Sequence, residues 1–213
     1  MMTLFTGATC PFSHIARVVL HEKGCDYTAQ VVDDMGALVE DSSSDKSRKG
    51  NFDVYMLNPY GELPVLVERD FMLYGVQIIT EYIDSRFPHP QLYPSDPAGR
   101  ARTRLFLTVL ERELFPSVRV LQDKKNPDDP RKEKARNYLR TRLTYMAPRL
   151  ANSRFMMGEE FSIVDAYMAP ILWRLQAWEV SMQNEELVTY AERLFARQAF
   201  VDSMNPLEKS LRK

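Results

Sequence analysis

Residues 2–32 read MTLFTGATCPFSHIARVVLHEKGCDYTAQVV, and this stretch decides the fold. MTLFT at 2–6 is a short apolar strand, residues 7–11 turn the chain, and FSHIARVVLHEKG carries apolar residues at helical spacing. Gly24 ends that helix in the manner of a C-terminal glycine. YTAQVV at 27–32, rich in β-branched side chains, resumes as a strand. The unit is βαβ: two parallel strands joined by a right-handed crossover whose helix covers one sheet face.

Outward from that unit, residues 33–58 carry no clear period, and DSSSDKSRKGN at 41–51 is polar enough for a surface loop. LPVLVERDFMLYG at 63–75 is two short apolar runs parted by Glu68, Arg69 and Asp70, a β-hairpin with charged residues in its turn. A helical period restarts at Val76. The order βαβ, irregular segment, ββα is that of a thioredoxin-like α/β domain, expected over residues 1–86.

SRFPHPQLYPSDP at 85–97 holds four prolines, which withhold backbone donors, so residues 87–96 read as a linker. An all-helical domain over 97–213 follows. Asp96 is placed to cap its first helix, along which Leu105, Val109, Leu110, Leu114, Val118 and Leu121 share much of one face, with a kink at Pro116. Asp128 or Asp129 caps a second helix, where Leu139, Leu143, Met146 and Leu150 repeat. SIVD at 162–165 is a capping box for a third, running to about Trp178 through Pro170. One or two more helices fill 185–203.

The 28 basic and 29 acidic side chains nearly cancel, so no global field draws the chain onto nucleic acid or an anionic membrane. No run of about 18 apolar residues spans a bilayer and the first residues do not form a signal peptide, which together predict a cytoplasmic protein. Two cysteines, Cys10 and Cys25, are too few for a disulfide framework or a zinc site. His14 and His21 lie on roughly one helical face with no third ligand, so solvent or packing roles are expected of them and no metal site. Arg100, Arg102 and Arg104 read as a solvated face, Trp173 and Trp178 as core, and Met156 and Met157 as adaptable packing.

CPFS at 10–13, LPVL at 63–66 and FSIVDAYMAPILWRL at 161–175 together resemble the glutathione transferase fold. LHEKG, LNPYGELPVLVERD and IITEYIDSRFPHPQLYP, with the LWRL helix, are similar more closely to the stringent starvation protein A family of bacterial RNA polymerase-associated proteins. The resemblance spans nearly the whole chain, broken mainly at 41–51. It implies a homodimer that binds RNA polymerase holoenzyme near the sigma factor and redirects transcription in starvation or acid stress. It implies neither a transferase activity nor a cofactor, and no direct contact with nucleic acid.

The same resemblance makes Pro64 the residue after a cis peptide bond that turns the Leu63 backbone toward glutathione, although a scaffold needs that turn even with no ligand. Gly75 and Val76 stand where the transferases carry an acidic residue and a serine to hold the γ-glutamyl end. Charge-assisted hydrogen bonds contribute roughly 1.5 to 3 kcal/mol each, so glutathione affinity is expected to suffer. Cys10 occupies the first-turn position of thiol-dependent members, and a helix N-terminus favours a thiolate, which leaves a glutathione-dependent thiol transferase or reductase as the alternative. Phe87, Pro88, His89 and Pro90, with Tyr93 nearby, form a stiff loop that loses little entropy on docking. They are the expected contact with polymerase or sigma.

Overall fold

The computed structural model describes residues 1–32 and 53–212; the loop expected at 41–51 lies outside them. β1 (Met2–Gly7), α1 (Pro11–Glu22) and β2 (Tyr27–Val32) form the βαβ unit, with β1 and β2 parallel from Met2 opposite Tyr27 to Gly7 opposite Val32. Gly24 has φ +60°, the left-handed conformation that ends a helix at little cost only in glycine. After a 3₁₀ turn at Val54–Met56 come β3 (Val65–Glu68) and β4 (Phe71–Tyr74). The sheet order is β2-β1-β3-β4, with β3 antiparallel to both neighbours. Glu68 pairs with Phe71 inside the ladder, so the turn is Arg69–Asp70 alone, tighter than the sequence suggested. Arg69 takes φ +56° there.

α2 (Val76–Arg86) closes the α/β half, and the rest is helical: α3 (Pro97–Glu113), α4 (Phe115–Gln122), α5 (Arg131–Met146), a 3₁₀ turn at Ala147–Ala151, α6 (Ile163–Arg174), α7 (Glu185–Phe195), α8 (Gln198–Ser203) and α9 (Pro206–Lys209). The expected long helix is two, broken at Leu114, with Pro116 in the first turn of α4 where a missing N–H costs nothing. Leu107, Leu110, Leu114, Phe115, Val118 and Leu121 are its buried apolar positions, whereas Leu105 is 66 % exposed. Arg100 and Arg104 are four apart and share a face; both meet Glu81 of α2, tying the two halves where a solvated stripe was expected. α6 stops at Arg174 because the chain turns at Glu179, φ +60°, with the Val180 N–H returning to the Leu175 carbonyl at 2.8 Å.

α1 lies at the centre. All ten residues from Pro11 to Leu20 are buried, because α1 packs against β1, α2, α6 and α8 at once. Complete burial of an Ile, Val or Leu side chain contributes about 1.5 to 3 kcal/mol, and Ile15, Val18, Val19 and Leu20 all reach it. One buried cluster runs from these through Leu107, Leu139 and Tyr167 to Leu194, so both halves share a core. A helix buried all round must also bury its polar residues, and Ser13, His14 and Arg17 are the consequence.

Candidate functional site

The turn before α1 is compact. Cys10 is the helix N-cap, Pro11 the first helical residue, and the buried Ser13 hydroxyl accepts the Gly7 N–H at 3.2 Å. A methyl group on Gly7 would sit 2.9 Å from the Cys10 Cβ, so only glycine lets the strand end this close to the thiol. Cys10 is free and half-buried. The other free thiol, Cys25, is pushed up to about 11 by burial, which removes it as a nucleophile at neutral pH.

Behind this turn lies a buried polar network that sequence reasoning missed. The Glu208 carboxylate, fully buried, receives the Arg17 guanidinium at 2.6 Å and that of Arg174 at 2.5 Å. Arg17 also donates to the Thr6 hydroxyl and the Ser203 carbonyl, and Arg174 to the carbonyls of Thr9 and Pro170. The Asn205 amide donates to the Ala8 carbonyl at 2.5 Å. The carbonyls of Ala8 and Thr9, immediately before Cys10, are thus held by residues from the helical half of the chain, Asn205 and Arg174. The Trp173 indole N–H reaches the Glu208 carbonyl at 2.8 Å, which places this tryptophan at the edge of the network.

His14 is part of the same network. Arg174 is only a donor, so its approach to Nδ1 at 3.0 Å fixes Nδ1 as acceptor. Nε2 then carries the proton and donates to the Ser203 hydroxyl at 2.9 Å, whose own O–H donates to the Phe200 carbonyl. The imidazole is neutral. Burial, then the charges of Arg174 and Arg17, hold its pKa well below 6.5, despite the Glu208 carboxylate 3.5 Å from Nδ1. Below pH ~6.5 the unfolded chain binds a proton that the fold refuses, so stability falls as pH drops through that value, by up to about 1.4 kcal/mol per unit. Urea titrations at pH 6.5 and 5.0 are expected to show lower stability at pH 5.0 from this group, and His14→Gln is expected to flatten that dependence.

The Leu63–Pro64 bond is cis. Gly75 caps α2 with φ +85° and offers no side chain, while Val76, 7 % exposed, packs into the core. The carboxylate and hydroxyl that would grip a γ-glutamyl group are absent at both positions. Against the first turn of α1, Arg119 lies 5.1 Å over the Phe12 ring and 3.6 Å from Glu62. Glu111 is raised by burial, with Arg119 opposing, and the Gln77 amide faces it at 3.0 Å.

Pro88, His89, Pro90 and Gln91 are exposed, with a cis bond at His89–Pro90 and the Arg86 guanidinium over the half-buried Phe87 ring at 5.5 Å. Tyr93 is corrected. Its side chain is 1 % exposed and lies under Arg100 at 5.3 Å, because proline restricts the backbone without deciding which way the next aromatic ring faces. Beneath the loop the Lys23 ammonium, 0 % exposed, meets Asp84 at 2.5 Å and the Pro90 carbonyl. Asp84 also accepts the Leu92 N–H at 3.0 Å. No pattern within 85–97 signals this support, since both charged residues lie outside that segment.

Among the described residues no group of three or more His, Cys, Asp and Glu is placed to hold a metal, and no helix is long and apolar enough to cross a membrane. Family models for the N-terminal and C-terminal domains of glutathione S-transferase match residues 9–86 and 103–198. Stringent starvation protein A homologs are similar over nearly the full length: that of Pasteurella multocida is 37 % identical over 96 % of this chain and 90 % of its own. That of Coxiella burnetii is 33 % identical over 100 % and 95 %. A glutathione transferase crystal structure from Methylococcus capsulatus superposes with TM-score 0.81 at 26 % identity, covering 99 % of this chain and 98 % of that one.

Proposed function

Because this chain belongs to the stringent starvation protein A family, built on the glutathione transferase fold, we propose that it is an RNA polymerase-associated transcription regulator of the starvation or stress response. It binds the holoenzyme, sigma factor included, through Phe87, Pro88, His89 and Pro90, as a homodimer in the cytoplasm and without transferase activity. The observation that carries the reading is the pairing of an exposed, end-anchored loop with Gly75 and Val76 at the start of α2, where neither a carboxylate nor a hydroxyl is available. A rigid loop presents an aromatic ring, an imidazole and two prolines at small entropic cost. Exposed Tyr55, Met56, Tyr60 and Ile78 give apolar surface of the kind that self-association covers.

The test is retention of purified RNA polymerase holoenzyme on the immobilised protein, beside a variant with Pro88, His89 and Pro90 all replaced by Ala. Retention by the native protein and its loss, by tenfold or more, in the variant is the expected result. Equal retention by both removes the loop from the interface.

A second reading rests on Cys10, free and half-buried at the N-terminus of α1: glutathione-dependent thiol transfer or reduction. Turnover of a glutathione mixed disulfide by the native protein, abolished in Cys10→Ser, supports it. No turnover in either removes it.

A further inference from the structure

We propose that Lys23 and Asp84 are positioning residues for the docking loop, holding Pro88–Gln91 in its bound shape before a protein partner arrives. The inference rests on the polymerase-binding reading and assigns that surface its supporting element. A Lys side chain with no exposure has lost its water and must find acceptors inside the protein. Lys23 finds two: the Asp84 carboxylate from α2, and the Pro90 carbonyl in the loop itself. Asp84 turns its Oδ1 to the Leu92 N–H as well, so one buried pair secures backbone groups on both sides of Gln91.

The remaining supports fix where the loop begins and ends. The Phe87 N–H closes on the Ile83 carbonyl at 2.9 Å, and the Leu92 carbonyl accepts the first N–H of α6, that of Ile163, at 3.0 Å. Leu92 and Tyr93 are buried at 3 % and 1 % exposure. Four exposed residues therefore stand between two hydrogen-bonded ends, and the Lys23–Pro90 contact reaches into them from below. A buried ion pair is a poor device for stability alone, since apolar residues of similar volume often serve as well or better. What an apolar pair could not do is bind a carbonyl and an amide of the chain passing over it.

The test compares the native protein with Lys23→Met and with the double variant Lys23→Met/Asp84→Asn. The double variant leaves no buried charge unpaired and keeps an acceptor for the Leu92 N–H, so it preserves the fold while cutting the link to Pro90. Two quantities are read: hydrogen exchange of the peptide spanning 87–93, and equilibrium affinity for purified RNA polymerase holoenzyme. The double variant is expected to keep its unfolding midpoint, to exchange about tenfold faster across 87–93 and nowhere else, and to bind holoenzyme about tenfold more weakly.

Unchanged exchange, or faster exchange with unchanged affinity, overturns the positioning role while polymerase binding by the native protein stands. A native protein that binds no polymerase overturns the functional reading and this inference with it. Loss of affinity with exchange rising over the whole chain assigns the pair to general stability and also counts against the proposal.

Discussion

Glu208→Gln is expected to cost about 3 to 5 kcal/mol of folding stability, measured as the free energy of unfolding in urea at pH 7.5. The carboxylate is fully buried between Arg17 and Arg174, which are 6 % and 2 % exposed. Removing its charge strands two guanidinium groups in a medium that solvates them poorly, and a Gln amide group would point N–H donors at donors. The loss should not stay local. Glu208 closes α9 by accepting the Asn205 N–H at 3.2 Å, and Asn205 holds the Ala8 carbonyl two residues before Cys10. The variant is therefore expected to alkylate faster at Cys10 as well as to unfold more easily. A change below about 1 kcal/mol would show that water enters the network and solvates the arginines.

Asp165→Ala is expected to cost a further large amount, about 4 kcal/mol in the same measurement, because four donors lose one acceptor. The carboxylate receives the Met156 N–H at 2.9 Å, the Tyr190 hydroxyl at 2.7 Å, and the N–H and hydroxyl of Ser162 at 2.8 Å each. A buried donor left without a partner costs about 1 to 3 kcal/mol, and the donors here relax together, so the sum is less than four separate losses. Burial itself opposes the charge and raises the Asp165 pKa, with those hydrogen bonds opposing. Asp165→Asn is expected to recover little, since one amide oxygen replaces two carboxylate oxygens and its NH2 faces other donors. The consequence reaches the exposed loop at 88–91, because this cap fixes the first turn of α6, whose Ile163 N–H ends the loop at Leu92.

These two residues mark where the sequence could and could not be read. Asp165 was legible: SIVD presents a hydroxyl and a carboxylate three residues apart at the start of an apolar run, and a cap is a local device. Glu208 was not. Its partner Arg17 lies 191 residues away, and α9, four residues long, is too short to show a period. The same distance hid the role of His14, whose partners Arg174 and Ser203 come from two other helices.

The βαβ unit and the hairpin were legible because alternating and helical periods are local properties of the chain. The face of α3 was misjudged at Leu105, which is exposed while Leu107 is buried, since a strip of leucines and valines at mixed spacings fits more than one helical face. In the site, Gly75 and Val76 stood out only through the resemblance to the transferases, which places a carboxylate and a hydroxyl at those two positions. The burial of Tyr93 and the Lys23–Asp84 support could not be read, because both depend on how α1, α2 and α6 meet beneath the linker.

The central claim is that the Pro88–Pro90 loop touches RNA polymerase. Its most direct test places a photo-crosslinking residue at His89, whose side chain is exposed and makes no hydrogen bond among the described residues, and irradiates the protein with purified holoenzyme. A covalent adduct to a core or sigma subunit, competed away by unlabelled native protein, is the predicted result. Retention of polymerase with no adduct from position 89, while a control position elsewhere on the surface crosslinks, would contradict it.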